Sequence, residues 1–398
     1  MRLTEMRFGD FAIIQPSVKL EKGIQYPYIS MENIEPKTKS VSPGQRRIWH
    51  GSGGAKFENG DVLFARITPC LEHGKTAKVS DLSSSCGFGS TEFFVFRNRQ
   101  EISDKDYIYY LSCSPIIREP AIKSMIGTSG RQRAQKTVIE NIIIRVPDLT
   151  EQKRIGKFLS IFDDLVENNR RRITLLEKMA KMIYREWFVY LHFPGHERVK
   201  ITDGIPERWK KGQVSDLGKV ITGKTPSTKD DANYNGNIPF IKTPDMHNQT
   251  VVVETKQTLS ERGANTQQKK AIPKGSVIVS CIGTVGVVSI TSCQCHTNQQ
   301  INSVVLKNPT SNYYAYFALS DLRPRLEAMG GGATMGNVNK TKFSRLSVII
   351  PDKKILDRFH DTVKANFLQI ENLLRYNNAL SRIRDLFLPQ LMNGEITI

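Results

Sequence analysis

The chain has 398 residues, enough for two domains of ordinary size with separate cores. Its 39% hydrophobic content and ordinary Gly and Pro levels exclude a disordered or fibrous class. With 57 Lys and Arg against 39 Asp and Glu, the net charge of +18 points to a polyanionic partner, nucleic acid first. The opening MRLTEMRFGD has no apolar core of a secretory signal, and six cysteines make no disulfide framework, so a cytoplasmic location is expected. The uncharged stretch 275–306 is rich in Val, Ile, Gly and Ser and reads as buried strands with a turn rather than a membrane span.

In chain order, RFGDFAII (7–14) reads as a short Asp-containing strand and loop. DVLFARI (61–67), EFFVFR (92–97) and IIIRVP (142–147) read as strands. DYIYYLSCSPIIREPAIKSM (106–125) reads as a helix interrupted near Pro115. Then comes a helical seam, Leu159, Phe162, Val166, Asn169, Ile173, Leu176, Ala180, Ile183 and Trp187, in steps of three and four. Asp148 and Glu151 bracket its start as a capping box. QVSDLGKVI (213–221) repeats the opening strand and loop, and SNYYAYFALSDLRPRLEAM (311–329) is a second helix, interrupted near Pro324. A second seam follows: Phe359, Val363, Asn366, Ile370, Leu373, Asn377 and Leu380. It is expected to continue to Phe387 and end at Pro389. Each seam holds Asn, which costs stability there but fixes register. The seams either pair with each other, antiparallel if the modules are related by a pseudo-twofold, or pack separately on their own domains.

The order globular, helix, globular, helix reflects an internal repeat. GTSGRQRAQKTVIENIIIRVPD (127–148) aligns without a gap on GGATMGNVNKTKFSRLSVIIPD (331–352), with five identities in twenty-two positions. The offset, 351 − 147 = 204, is about half the chain. NGDVLFARI (59–67) likewise matches KGSVIVSCI (274–282), and PYISMENI (27–34) matches PFIKTPDM (239–246). Two copies of so long a unit are a domain duplication, not a solenoid. The expected division is α+β domains at 1–147 and 193–350, with helical segments at 148–192 and 351–398.

Motifs that suggest chemistry fail on context. GKVITGKT (218–225) matches the phosphate-loop pattern, but Pro226 follows and STKDDANYNGN has no helical period. It reads as a polar surface turn. CQCH (293–296) has no second pair at zinc-like spacing. HFPGH (192–196) lacks the helical spacing of a metalloprotease, and HGSGGA (50–55) lacks the strand–helix context of a dinucleotide site. No metal, cofactor or catalytic residue is expected, and the chain is read as a non-enzyme.

Taken together, the duplication, the GDVLF and GSVIV strands, and the QKT and NKT loops leading to VPD and IPD resemble the specificity subunits of type I restriction-modification systems. So do the helices ENNRRRITLLEKMAKMIYREWFV (167–189) and RDLFLPQLMNGEI (384–396). The resemblance spans essentially the whole chain; Arg384 in a seam slot is a departure. It implies two target-recognition domains, each reading half of a split, asymmetric site in double-stranded DNA. Two antiparallel helices would form a coiled-coil spacer. Partners would be two adenine methyltransferase subunits and, in the full complex, restriction/translocase subunits. Ile155 to Trp187, 33 residues, makes a rod of about 50 Å. Other readings are the targeting subunit of a fused (type IIB-like) enzyme, a freestanding nucleic-acid-binding regulator, and a nucleotide-hydrolysing enzyme resting on GKVITGKT.

Phosphates need cations and base edges need forked donors and acceptors. The expected DNA contacts in the first domain are Arg131, Gln132, Arg133 and Lys136, with Arg66 and Lys75 second. In the second domain they are Asn337, Asn339, Lys340 and Thr284, with Lys224, Ser227 and Thr228. The dissimilar loops GTSGRQRAQ and GGATMGNVN imply two different half-sites.

Overall fold

The computed structural model describes residues 2–128, 130–330 and 336–398. It divides into two units, Met1–Asn168 with Asn377–Ile398, and Asn169–Tyr376. The first unit is built on a five-stranded sheet in the order Ala12–Ile14, Phe93–Asn98, Val62–Ala65, Thr76–Val79, Ser40–Val41. All its neighbours are antiparallel except the last pair. The unbroken apolar run Phe93-Phe94-Val95-Phe96 is explained by burial on both faces. Phe94 and Phe96 join the core under the helices with Phe8 and Tyr107, whereas Phe93 and Val95 join a separate core with Ile29 and Phe57. A second sheet runs Gln45–Ile48, Gln25–Ile29, Cys86–Gly89, Ala55–Glu58. Thr4–Arg7 and Ile143–Val146 form a two-stranded ribbon.

The second unit repeats this plan. Its five-stranded sheet runs Gly218–Thr222, Ile301–Leu306, Val277–Ser280, Val288–Thr291, Val251–Val252, again with only the last pair parallel. Lys210–Gln213 and Ser347–Ile350 make the equivalent ribbon. The second sheet has three strands, Thr258–Leu259, Tyr234–Ile241 and His296–Thr297. The opening segments of both modules differ from the expected strand and loop. Each holds one turn of helix, Phe8–Phe11 or Val214–Leu217, whose apolar ends are buried. The helices interrupted at Pro115 and Pro324 are Lys105–Cys113 with Pro115–Lys123, and Asn312–Asp321 with Arg323–Gly330.

Two long helices follow the modules. The first, Leu149–Tyr184, continues into a π-turn at Arg185–Val189. Asp148 caps its start, accepting from the Glu151 amide at 3.0 Å. The Glu151 side chain pairs with Arg154. The second helix is Lys353–Met392. It does not end at Pro389, as the sequence suggested. Proline removes one donor, but Leu391 and Met392 are fully buried in the first unit's core, and that burial carries the helix one turn further.

The seam residues Leu159, Val166, Asn169, Ile173, Ala180, Phe359, Val363, Ile370, Leu373 and Asn377 are buried. Phe162, Leu176, Ile183, Asn366 and Leu380 are half-buried. The helices pack antiparallel within each unit. In the first, Phe158 and Phe162 meet Phe387 at ring separations of 5.4 and 6.4 Å, and Asp163 pairs with Arg384. In the second, Tyr184, Trp187 and Phe188 surround Phe359, and the Asn366 amide donates to the Leu176 carbonyl at 3.3 Å. The large residues at the helix ends thus pack on their own units. The seam arginine is not a defect: its side chain and that of Asp163 are only 6% and 4% exposed, and Asp163 also accepts from the Tyr110 hydroxyl at 2.6 Å. No helix among the described residues is long and apolar enough to cross a membrane.

Replacing Asp163 by Ala leaves the buried Arg384 with Asp385 as its remaining carboxylate partner and leaves the Tyr110 hydroxyl without its acceptor. The expected cost to the first unit is on the order of 3 kcal/mol, read as faster amide hydrogen exchange in that unit. Glu177, on the first long helix, has its pKa raised by burial from 4.5 to about 7. A raised carboxyl pKa favours the fold while protonated, so this contribution is lost as pH rises through about 7. The second unit should lose on the order of 2 kcal/mol between about pH 5 and pH 8. Glu177→Gln should flatten this dependence in urea unfolding.

Candidate nucleic-acid interface

Both faces of the central strand are covered, so the polar side chains gather where it ends. After Val62–Ala65 the Arg66 amide donates to the Glu92 carbonyl at 3.0 Å, and the Arg66 carbonyl accepts from the Ala134 amide at 2.8 Å. The Thr68 amide donates to the Gln132 carbonyl at 3.0 Å, and Arg133 and Ile126 exchange two backbone hydrogen bonds. Four expected residues, Arg66, Arg131, Gln132 and Arg133, are thereby brought into one cradle. The Arg133 guanidinium grips the Glu92 carboxylate, with Nε to Oε2 at 2.9 Å and Nη2 to Oε1 at 2.7 Å. The Arg66 guanidinium lies over the Phe94 ring, 4.6 Å from its centroid. Arg131 is exposed. Lys75 and Lys136 are engaged elsewhere: the Lys75 ammonium donates to the Met31 carbonyl at 2.9 Å, and Lys136 pairs with Glu140 one turn along a short helix.

The second unit builds the same cradle. The Cys281 amide donates to the Gln300 carbonyl at 2.7 Å, and the Cys281 carbonyl accepts from the Val338 amide at 2.8 Å. Ile282 bridges Asn337 as Ile67 bridges Arg133. Thr284 and Asn337 are exposed there. Asn339 instead caps the short helix Lys340–Ser344, accepting from the Lys342 amide at 2.9 Å, and Lys340 is exposed in its first turn. Lys224, Ser227 and Thr228 lie exposed on the segment after Gly218–Thr222. That segment has no phosphate-loop geometry. It leads into a short 3₁₀ turn and the strand Tyr234–Ile241, and a Cβ on Gly223 would meet the Thr297 and Asn298 carbonyls at 2.2 Å. In the CQCH segment, burial pushes the Cys295 thiol up to about 12 and lowers the His296 pKa, as expected of side chains facing inward. No cluster of three His, Cys, Asp or Glu that could hold a metal occurs among the described residues.

A second polar surface in the first unit escaped the sequence reading. The edge strand Gln45–Ile48 is exposed throughout. The Arg47 guanidinium stacks on Tyr28 at 3.9 Å, Trp49 lies edge-on to Phe88 at 5.0 Å, and the Lys56 ammonium sits 5.0 Å from the Trp49 ring. A cleft of about 730 Å³ opens between Arg46, Arg47, His50, Gly53, Ser90 and Thr91. Gly54 there has φ +75°, and a Cβ would come within 2.6 Å of the Gly89 carbonyl, so only glycine fits. Thr91 joins the cleft to Glu92 in the cradle. The signal lay in QRRIWH (45–50), where two adjacent arginines precede Ile48 and Trp49.

Comparison with known proteins agrees with this duplicated arrangement. The profile of the type I restriction modification DNA specificity domain matches twice, at residues 5–178 and 206–376. The specificity subunit of the type I restriction enzyme HindI from Haemophilus influenzae is 30% identical, covering 87% of this chain and 88% of that relative. The MjaIX specificity subunit of Methanocaldococcus jannaschii is 26% identical over the whole of this chain and 89% of its own. The crystal structure of a type I S subunit from M. genitalium shares the fold, with a TM-score of 0.56 at 15% identity over 98% of this chain and 96% of that one. The fold is thus that of a two-domain DNA-specificity protein. The chain belongs to the type I restriction-modification DNA specificity family. It is a sequence-specific DNA-binding subunit, not a catalytic one, and it directs methylation and restriction by partner subunits.

Each phosphate neutralised by a cation steepens the salt dependence of binding by about 0.9 in the log–log slope. Replacing both Arg46 and Arg47 by Ala should therefore flatten the slope by about 1.8, measured by DNA binding of the assembled complex across a salt series. An unchanged slope would put this strand outside the interface.

Proposed function

We propose that this chain reads a split, asymmetric site in double-stranded DNA, one half-site per recognition domain, residues 1–147 and 193–350. The helical segments 148–192 and 351–398 act as the spacer that fixes the gap. Two methyltransferase subunits, and restriction/translocase subunits in the full complex, act at the sites it selects. The observation that carries this reading is the repeated backbone cradle with unlike side chains, Arg66, Arg133 and Glu92 in one copy and Cys281, Asn337 and Gln300 in the other. One frame that presents different hydrogen-bonding groups is suited to reading two different sequences. The net charge of +18 supplies attraction that does not depend on sequence. In this reading Arg131, Gln132, Arg133 and Arg66 face one half-site. Thr284, Asn337, Lys340, Lys224, Ser227 and Thr228 face the other. Lys75, Lys136 and Asn339 complete the expected contacts, each already holding a neighbouring group: the Met31 carbonyl, the Glu140 carboxylate and the Lys342 amide. A packed helical seam holds a fixed separation in a way a flexible linker does not.

Long-read mapping of 6-methyladenine in the host genome, with and without the gene, tests this. The expected result is loss of one split motif, with both of its half-sites vanishing together. A chain carrying two copies of the first domain should shift methylation to a palindromic split motif; an unshifted motif would rule out one half-site per domain.

A further inference from the structure

Glu92 holds Arg133 along one edge only. The carboxylate takes Nε and one hydrogen of Nη2. A guanidinium carries five N–H donors in a rigid plane, so the end formed by Nη1 and the second Nη2 hydrogen is left over. That end has no acceptor among the described residues, and the side chain is 44% exposed. The base of the side chain is equally fixed. Arg133 exchanges both backbone hydrogen bonds with Ile126, and the next residue, Ala134, is fully buried. The result is an outward-facing fork whose plane is set from the side and whose root is set from below.

A fork of fixed direction matches the O6 and N7 acceptors of guanine in the major groove. The carboxylate behind it works against the alternative use of this arginine. Glu92 repels phosphate oxygens, so the pair is poorly suited to a backbone contact, whereas the neutral edge of a base carries no such penalty. The second unit adds an independent observation. Asn337 bridges Ile282 as Arg133 bridges Ile67, and Gln300 accepts from Cys281 as Glu92 accepts from Arg66. At matched places on one backbone frame an ion pair has been exchanged for two amides, which offer a different pattern of donors and acceptors. Divergence at these two places within a retained frame is what a position that reads sequence requires.

We propose that Arg133 is the guanine-reading residue of the first domain's half-site, and that Glu92 is a positioning residue that aims it. The assignment rests on the reading that each domain recognises one half-site.

The test uses the full chain assembled with its methyltransferase partners. Methylation rates are measured on the mapped target duplex and on duplexes with each base pair of both half-sites replaced in turn. The intact chain should discriminate for a guanine at one position of one half-site. Arg133→Lys keeps the charge but loses the fork, and Arg133→Gln loses both. Each should reduce that discrimination about tenfold or more and leave the other positions, including the whole second half-site, nearly as selective as before. Glu92→Gln should give a smaller loss confined to the same position, which a general weakening of the fold would not produce. Should Arg133→Gln fail to assemble, Arg133→Lys decides. Unchanged guanine discrimination in the Arg133 variants overturns the assignment. So does an equal loss at every position, or a target with no guanine in either half-site. A mapped target without a gap would instead sink the split-site reading, and loss of discrimination at one guanine is scored independently of any gap.

Discussion

A sheet buried on both faces leaves only its ends to carry function. In each unit the central strand, Val62–Ala65 or Val277–Ser280, is wholly buried, with helices on one side and a second sheet on the other. No side chain on either face can meet a ligand. The polar groups of the cradle gather where these strands stop, and that is where loops from distant parts of each module converge. A recognition group placed there rests on a rigid element without disturbing the core that makes it rigid. The same arrangement lets the rim vary: Asn337 stands where Arg133 does and Gln300 where Glu92 does, and the strand pairing is retained.

The two copies show how far that freedom extends. Sheet order, the one parallel edge pair, the ribbon and the cradle hydrogen bonds are common to both. The second sheet is not. In the first unit it has the exposed strand Gln45–Ile48, with Arg47 laid on Tyr28 and the cleft beside it. In the second, Phe240 stands at the place of Tyr28 with Lys242 above it, 5.6 Å from the ring. A basic group over an aromatic ring persists while the strands around it change. Cation–aromatic stacking tolerates such changes because it needs only a flat face and a nearby charge.

Much of this architecture was legible in the sequence because it rests on periodicity. Steps of three and four marked the seams, and the repeated Lys-Thr and Pro-Asp landmarks marked the duplication. The parts that escaped depend on side chains meeting across long separations. Nothing local indicates that Arg133 is held by Glu92, forty-one residues away, or that the Lys75 ammonium is spent on the Met31 carbonyl. Loop cations look alike in a sequence whether they face solvent or brace a turn. Arg384 looked like a fault in an apolar seam because its partner, Asp163, lies on the other helix. Pro389 looked like a stop because local rules weigh one missing donor and cannot weigh the burial of Leu391 and Met392 beyond it.

That last burial also sets an order of events. The unit Asn169–Tyr376 is continuous in the chain and holds all of its own core. The other unit is not: its core contains Leu391 and Met392, and its buried Asp163 waits for Arg384. During vectorial synthesis the module made first is therefore closed last, after the intervening unit has emerged. Until then the apolar side chains that Leu391 and Met392 cover, and the carboxylate that Arg384 pairs, stay open to water. A chain interrupted before residue 377 would carry one unit with its core complete and one lacking Leu391, Met392 and the partner of Asp163.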